Sequence, residues 1–372
     1  MNPLNPFFYI QRNTKKALPI FFSVTISVFL IYIFSLFSTT TNKMVSVATF
    51  DLVEKYNIVY TKNNIVLPQS FLNVLQDAQI SDVMPVKMNT SGFAYYRGGM
   101  GSTTITTFNL YDSDVGTLLK NFDISLIQGS FPQNNQHEIL IPVEIALQRH
   151  IAVGDFIGRD VSDEFSLQGK YKVCGLMKGD IFFAVTCELG DKPRNQIMRE
   201  GVMYRVDNLG AEEQKRLTFS LPANVIVIDR DYYDQQFSVT LQSMNILTYV
   251  LTSMMIIVLC IALGSLNTIL LNNRRKELTI IHFIGFTYKR LFKKLWIENL
   301  LICTGGYVVG IAITLVLVWL TNVFVLIPQG KILEIVAYKG LIIAYMLPLI
   351  VSIFSLLPGV LPSFHGIKDT PA

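Results

Sequence analysis

The sequence predicts a membrane protein with four transmembrane α-helices and a mixed α/β extracytoplasmic domain between spans 1 and 2. Three observations lead there. Only 16% of the 372 residues are charged, against roughly a quarter in ordinary soluble chains. The deficit collects in four charge-free windows, Ala17–Phe37, Gln235–Asn273, Asn299–Gly330 and Gly340–Phe364. Each supplies the roughly 20 apolar residues that a helix needs to cross the hydrocarbon core. The charges that do occur are sorted. Residues 1–16 hold Arg12, Lys15 and Lys16 with no acid, and 272–298 holds seven bases against Glu277 and Glu298, whereas 40–240 holds 18 bases against 23 acids. Lys and Arg in short flanking loops stay in the cytoplasm. That rule puts both chain ends and the 272–298 loop inside and 40–240 outside.

The elements follow in order. Residues 1–16 (PLNPFFYIQRNTKK from Pro3) mix aromatics with bases and suit either a short interfacial helix or a plain anchor flank. Span 1, 17–39, is a signal anchor rather than a cleaved leader, because Ser35–Asn42 offers no A-x-A-like site. The exterior domain, 40–240, starts with strand-like Asn57–Thr61 and Asp82–Lys87 around a helix at Pro68–Ala78. Phe71, Leu72 and Leu75 fall at helical spacing there. Alternating runs at Gly92–Tyr96 and Thr103–Phe108, a strand at Glu138–Ile141 and a short helix at Val143–His150 come next. Tyr171–Leu176 and Ile181–Glu188 read as a hairpin around Gly179–Asp180. Such a hairpin would set Cys174 opposite Cys187 and allow a disulfide, with the register, and so the pairing, left open. Met203–Val206, a helix at Ala211–Leu217 and Asn224–Ile228 close the domain with a unit like the one that opened it.

Span 2 falls in 241–272, with its membrane part near Ile246–Leu271. The cytoplasmic loop, 273–298, continues a helical pattern through Leu278 and Ile281. Gly285 supplies a helix stop and Thr287 can cap a new helix. From Tyr288, Leu291, Leu295 and Trp296 form an apolar stripe, and Lys289, Arg290, Lys293 and Lys294 take the other side. The shape expected is a helix–turn–amphipathic helix suited to a groove on a partner or to an anionic lipid surface. Span 3 (299–327), a short exterior loop (328–339), span 4 (340–364) and a cytoplasmic tail (365–372) complete the chain.

Catalytic signatures are missing. Gly169–Lys170 is followed by Tyr171 and Gly330–Lys331 by Ile332, so neither forms a phosphate-cradling G-x-x-x-x-G-K-[ST] loop. His137, His150, His282 and His365 are scattered, with no H-E-x-x-H, no Cys/His cluster and no G-x-S-x-G elbow. The basic surplus is explained by topology and gives no reason to expect nucleic acid.

A spaced pattern carries a resemblance. Arg274-Arg275-Lys276-Glu277 is followed by Gly285, Glu298, Gly305-Gly306 and Gly310. This resembles the C-terminal module of the FtsX-like, MacB-type permeases of ABC transporters. Gln128–Pro132, Glu138–Leu140 and Val153–Asp155 are similar to that family's exterior core, and Ser355–Lys368, with Pro358 and Pro362, to its closing segment. Thr279 and His282 depart from the residues common there. The resemblance implies a non-enzymatic subunit of the bacterial cytoplasmic membrane. Arg275, Glu277, His282, Gly285, Thr287, Tyr288 and Arg290 would couple it to a separate ABC ATPase, present in two copies, and a second permease, identical or homologous, would complete the complex. ATP and magnesium would be bound by the ATPase and no cofactor by this chain. Two other readings stay open: transmembrane activation of an exterior hydrolase without transport, and a membrane-anchored binding protein with no ATPase.

Overall fold

The computed structural model describes residues 11–61, 66–77, 80, 82–96, 102–190, 192–206, 210, 217, 221 and 225–365. Most of the interfacial segment and nearly all of the helix expected at Ala211–Leu217 lie outside the described residues. Two compact units divide the chain. One comprises Met1–Thr39, Met244–Thr321 and Glu334–Ala372, the other Thr40–Ser243 and Asn322–Leu333.

Helix α1 (Thr14–Val45) leads through a π-helical turn, Ser46–Phe50, into α2 (Asp51–Lys55) and the α/β unit. Strand β1 (Tyr56–Thr61), α3 (Gln69–Asp77) and the short β2 (Met84–Pro85) follow. Alternation along β1 decides what each face covers. Tyr56 and Ile58 enter one buried cluster, whereas Val59 enters another with Phe71, Leu72 and Leu75 of α3. The chain continues through β3 (Lys87–Tyr95), β4 (Thr103–Asn109), α4 (Asp112–Asn121), β5 (Ser125–Gly129), β6 (Glu138–Pro142) and α5 (Val143–Arg149). Then come β7 (Phe156–Ile157), β8 (Tyr171–Lys178), β9 (Ala184–Thr186), α6 (Arg194–Glu200), β10 (Gly201–Arg205) and β11 (Val225–Ile228). One sheet is antiparallel, in the order β11-β1-β10-β2, so the opening and closing segments of the unit pair with each other. The other is mixed, in the order β3-β4-β9-β6-β8-β5, with β7 beside β8. Aromatic packing of Phe108, Phe122 and Phe183 fills the core between them.

Several expectations are corrected. The hairpin around Gly179–Asp180 does not form, because β6 lies between β8 and β9, parallel to one and antiparallel to the other. Ile139, Leu140 and Ile141 of β6 are fully buried, and a strand apolar on both faces gains most in a central position. Two strand spacings, about 9–10 Å, then separate the strands of Cys174 and Cys187, beyond the reach of a disulfide. Both are free, buried thiols, and burial pushes each up to about 12. The strand expected over Asp82–Lys87 is split. Met84 and Pro85 pair with β10, and Lys87 starts β3 in the other sheet. Pro85 has no amide to donate, which suits the edge position it takes.

Within this same unit, Asn322–Leu333 forms a closed loop. Asn322 is buried; its Nδ2 donates to the Leu333 carbonyl and its Oδ1 accepts from the Leu333 amide, both at 2.9 Å. Gly330 adopts φ +65° against the Glu144 carbonyl of α5, and Gln148 Nε2 donates to the Gly330 carbonyl at 2.8 Å.

Among the described residues, three long α-helices follow: α7 (Arg230–Phe283), α8 (Tyr288–Thr321) and α9 (Tyr338–His365). Helical stretches long and apolar enough to cross a membrane occur at Ala17–Lys55, Tyr249–Leu266 and Lys289–Gln329, and Tyr338–Val351 is a shorter apolar helix among the described residues. In the helical unit α8 meets α1 through glycines. A Cβ at Gly306 would lie 2.8 Å from Val24 Cγ1, and one at Gly310 would lie 2.9 Å from the Thr25 carbonyl and from Val28. Small residues that let backbones approach are the usual adhesive where lipid removes any hydrophobic drive. Tyr307 of α8 stacks edge-on with Tyr345 of α9 at 5.0 Å.

Candidate functional site

The hairpin joining α7 and α8 is built around Gly285. Gly285 takes φ +103°, a region open to glycine and strained for residues with a Cβ. A Cβ added there would meet no atom of the described residues within 4 Å, so conformation, not crowding, sets the requirement. Before it, the Ile284 amide donates to the Ile280 carbonyl and the Gly285 amide to the His282 carbonyl. The His282 ring reaches over the turn, with Nδ1 2.9 Å from the Phe286 carbonyl. A carbonyl can only accept, so Nδ1 carries the proton. The Thr287 carbonyl accepts from the amides of Arg290 and Leu291, which starts α8.

Behind the turn, Leu278 of α7 packs on Leu291 and Leu295 of α8. Further back sits a charge cluster. Arg274 Nη1 lies 2.7 Å from Glu298 Oε2, Arg274 Nε lies 3.6 Å from Glu277 Oε2, and Lys294 Nζ lies 3.9 Å from Glu298 Oε1. The side chains of Arg274, Lys294 and Glu298 are only 1%, 3% and 4% exposed. Removing one partner of such a buried pair costs about 3–5 kcal/mol, because a charge is left without compensation. The lock therefore fixes the relation of the two helices.

The tip is the opposite case. Phe283 and Ile284 are 76% and 70% exposed, and Lys289 and Arg290 are exposed beside them. Reach can be read from α1, whose first turns share a cavity with Leu301 and Ile302 of α8. Gly305 stands against Phe21, which sets Thr14 level with about residue 298, ten residues past Tyr288, so α8 extends about 15 Å beyond the start of α1.

The residues anticipated for this hairpin fall into place unevenly. Gly285, His282 and Thr287 shape the turn, and Arg290 is exposed at its end. Glu277 turns back to Arg274 within its own helix. Arg275 and Tyr288 lie on α7 and α8, their side chains outside the described ones. Lys294, expected on the polar side with the other bases, is instead buried against Glu298, because the face it shares with Leu291 and Leu295 packs on α7. Arg274 is the residue that sequence reasoning passed over as a partner for Glu298. A signal existed: Arg274 and Glu298 lie at equal distances on either side of Phe286, and residues equidistant from a helical turn face each other across it. Cys174 and Cys187 belong to the α/β unit and have no part here.

Spanning-length apolar helices joined by a basic, charge-locked hairpin define a membrane protein whose 288-side helix packs on α1 through glycines. Residues 249–370 match the family model described as FtsX-like permease C-terminal, and this part of the chain is similar to that family. Among solved structures, the extracellular domain of the noncanonic ABC-type transporter YknZ from Gram-positive bacteria is similar at 10% identity and a TM-score of 0.26, over 47% of this chain and 100% of that one. No curated protein matches the chain.

Proposed function

We propose that this chain is the transmembrane subunit of a MacB-type ABC complex and transmits the motion of a separate ATPase to its α/β unit, for export or extraction of a peptide, lipoprotein, lipid or antibiotic. Four spans cross the membrane, α9 being the last. Both chain ends are cytoplasmic and 40–240 is outside. Two ATPase subunits bind the ATP and magnesium, and a second permease, identical or homologous, completes the assembly. The single observation that supports this best is the α7–α8 hairpin. It reaches about 15 Å past the start of α1, is locked internally by Arg274–Glu298, and ends in exposed Phe283 and Ile284 beside Arg290. A stiff arm with an apolar, basic tip fits a groove on a partner.

The test is retention of the ATPase at matched membrane abundance. Gly285→Val forces a β-branched residue into φ +103°, at about 1 kcal/mol or more, and should loosen the tip without touching an apolar window. Arg290→Glu should weaken docking through charge alone. Both variants are expected to lose the ATPase in pull-down. Full retention by both would show that coupling lies elsewhere.

A further inference from the structure

A half-open cavity of about 490 Å³ lies between the first turns of α1 and the middle of α8, lined by Gln11, Thr14, Ala17, Leu18, Phe21, Leu301 and Ile302. Its size falls within the roughly 300–1,000 Å³ of small-molecule sites. Beyond Gln11 and Thr14 at one end, the walls are apolar. The charges at that end are of one sign. Arg12 and Lys15 flank Gln11 and Thr14 and are exposed, and the first acid in the chain is Asp51. The carboxylate nearest along α8, Glu298, is turned into the Arg274–Lys294 lock and so opposes no anion at the mouth.

An apolar slot beside two bases, at the end of a spanning helix, matches one ligand chemistry: a hydrocarbon chain ending in a negative headgroup. We infer that this cavity holds an acyl chain of an anionic phospholipid, with Arg12 and Lys15 on its phosphate. The inference rests on the permease reading only for the placement of this helix end at a membrane surface, and it needs neither the ATPase nor the coupling tip. Bound there, the lipid wedges α1 against α8 below the Gly306–Val24 contact and makes the packing of that pair depend on membrane charge.

The experiment uses the full chain in nanodiscs of equimolar phosphatidylglycerol and phosphatidylcholine with identical acyl chains, and counts retained lipid by native mass spectrometry. Phosphatidylglycerol should be retained over phosphatidylcholine by roughly thirtyfold, the size expected of two bases near an anionic surface. The double variant Arg12→Gln, Lys15→Gln, which leaves the helix packing intact, should bring that ratio near one. Leu301→Trp fills the slot and should abolish retention of both lipids. Equal retention of the two lipids by the wild type would reduce the cavity to ordinary lipid contact and overturn the site. So would phosphatidylglycerol retention unchanged in Leu301→Trp, which would put the lipid elsewhere. Retention that rises when residues 2–10 are deleted would identify that segment as the occupant and overturn it as well. ATPase pull-down by the same variants stays a separate measurement, so either reading can fail alone.

Discussion

The apolar stretch that begins in α8 is closed at its two ends by different chemistries. At the Tyr288 end, the turn is backed by buried ions, Arg274, Lys294 and Glu298. At the Asn322 end, the loop is closed by one neutral carboxamide that copies a pair of backbone hydrogen bonds to Leu333. A neutral amide is cheap to bury once both its hydrogen bonds are made. Buried ions are costly to bring together and costlier still to separate. The ionic end thus tolerates no halfway state, whereas the amide end can open at modest cost. A stiff hairpin needs the first property, and a closing loop needs only the second.

The largest expected effect comes from breaking the ionic end. Glu298→Ala leaves Arg274 and Lys294 buried together without their carboxylate, and should lower the unfolding free energy in mixed micelles by about 3–5 kcal/mol. A loss below about 1 kcal/mol would mean that water reaches the cluster and that the two ends do not differ as argued. The triple change Arg274→Met, Lys294→Met, Glu298→Leu sharpens the point. Apolar groups of similar volume should restore most of that loss while removing the directional tie, so stability and ATPase retention should separate.

Asn322→Leu ranks second. It orphans the Leu333 amide and carbonyl together, with an expected cost of about 1–3 kcal/mol. Amide hydrogen exchange at Leu333 should report it, with faster exchange there and no change at Leu291. Protection that survives at Leu333 would show that the loop is held by Gln148 and Gly330 instead. The smallest effect is expected at Lys294→Met. Its ammonium stands 3.9 Å from Glu298, Arg274 remains to neutralise the carboxylate, and methionine fills the buried volume without an ammonium to desolvate, so the loss should stay under about 1 kcal/mol. A larger loss would make Lys294 an equal member of the lock.

How much was legible follows from how far each interaction reaches along the chain. Residues read only against near neighbours came out well. Phe71, Leu72 and Leu75 marked α3, Glu138–Ile141 marked β6, and Gly285 marked the turn, since helical spacing, strand alternation and a left-handed φ are properties of a few consecutive residues. Helix α4 and strand β5 went unread although they are just as local, because Asp112–Asn121 mixes two acids and a glycine with few apolar residues and β5 lies largely exposed at a sheet edge.

The sequence by itself determined where the apolar helices lie, where bases and acids segregate, and where the α7–α8 turn must fall, because hydropathy, charge and backbone freedom are carried by each residue wherever it ends up. Only the tertiary structure decided that β6 enters between β8 and β9 and parts the strands of Cys174 and Cys187, that α8 turns its glycines to Val24 and Val28, and that Arg274 meets Glu298 across the turn. Each of those is a choice among partners distant in sequence. That choice is made by which surfaces can be buried together, a competition that no local stretch of the chain contains.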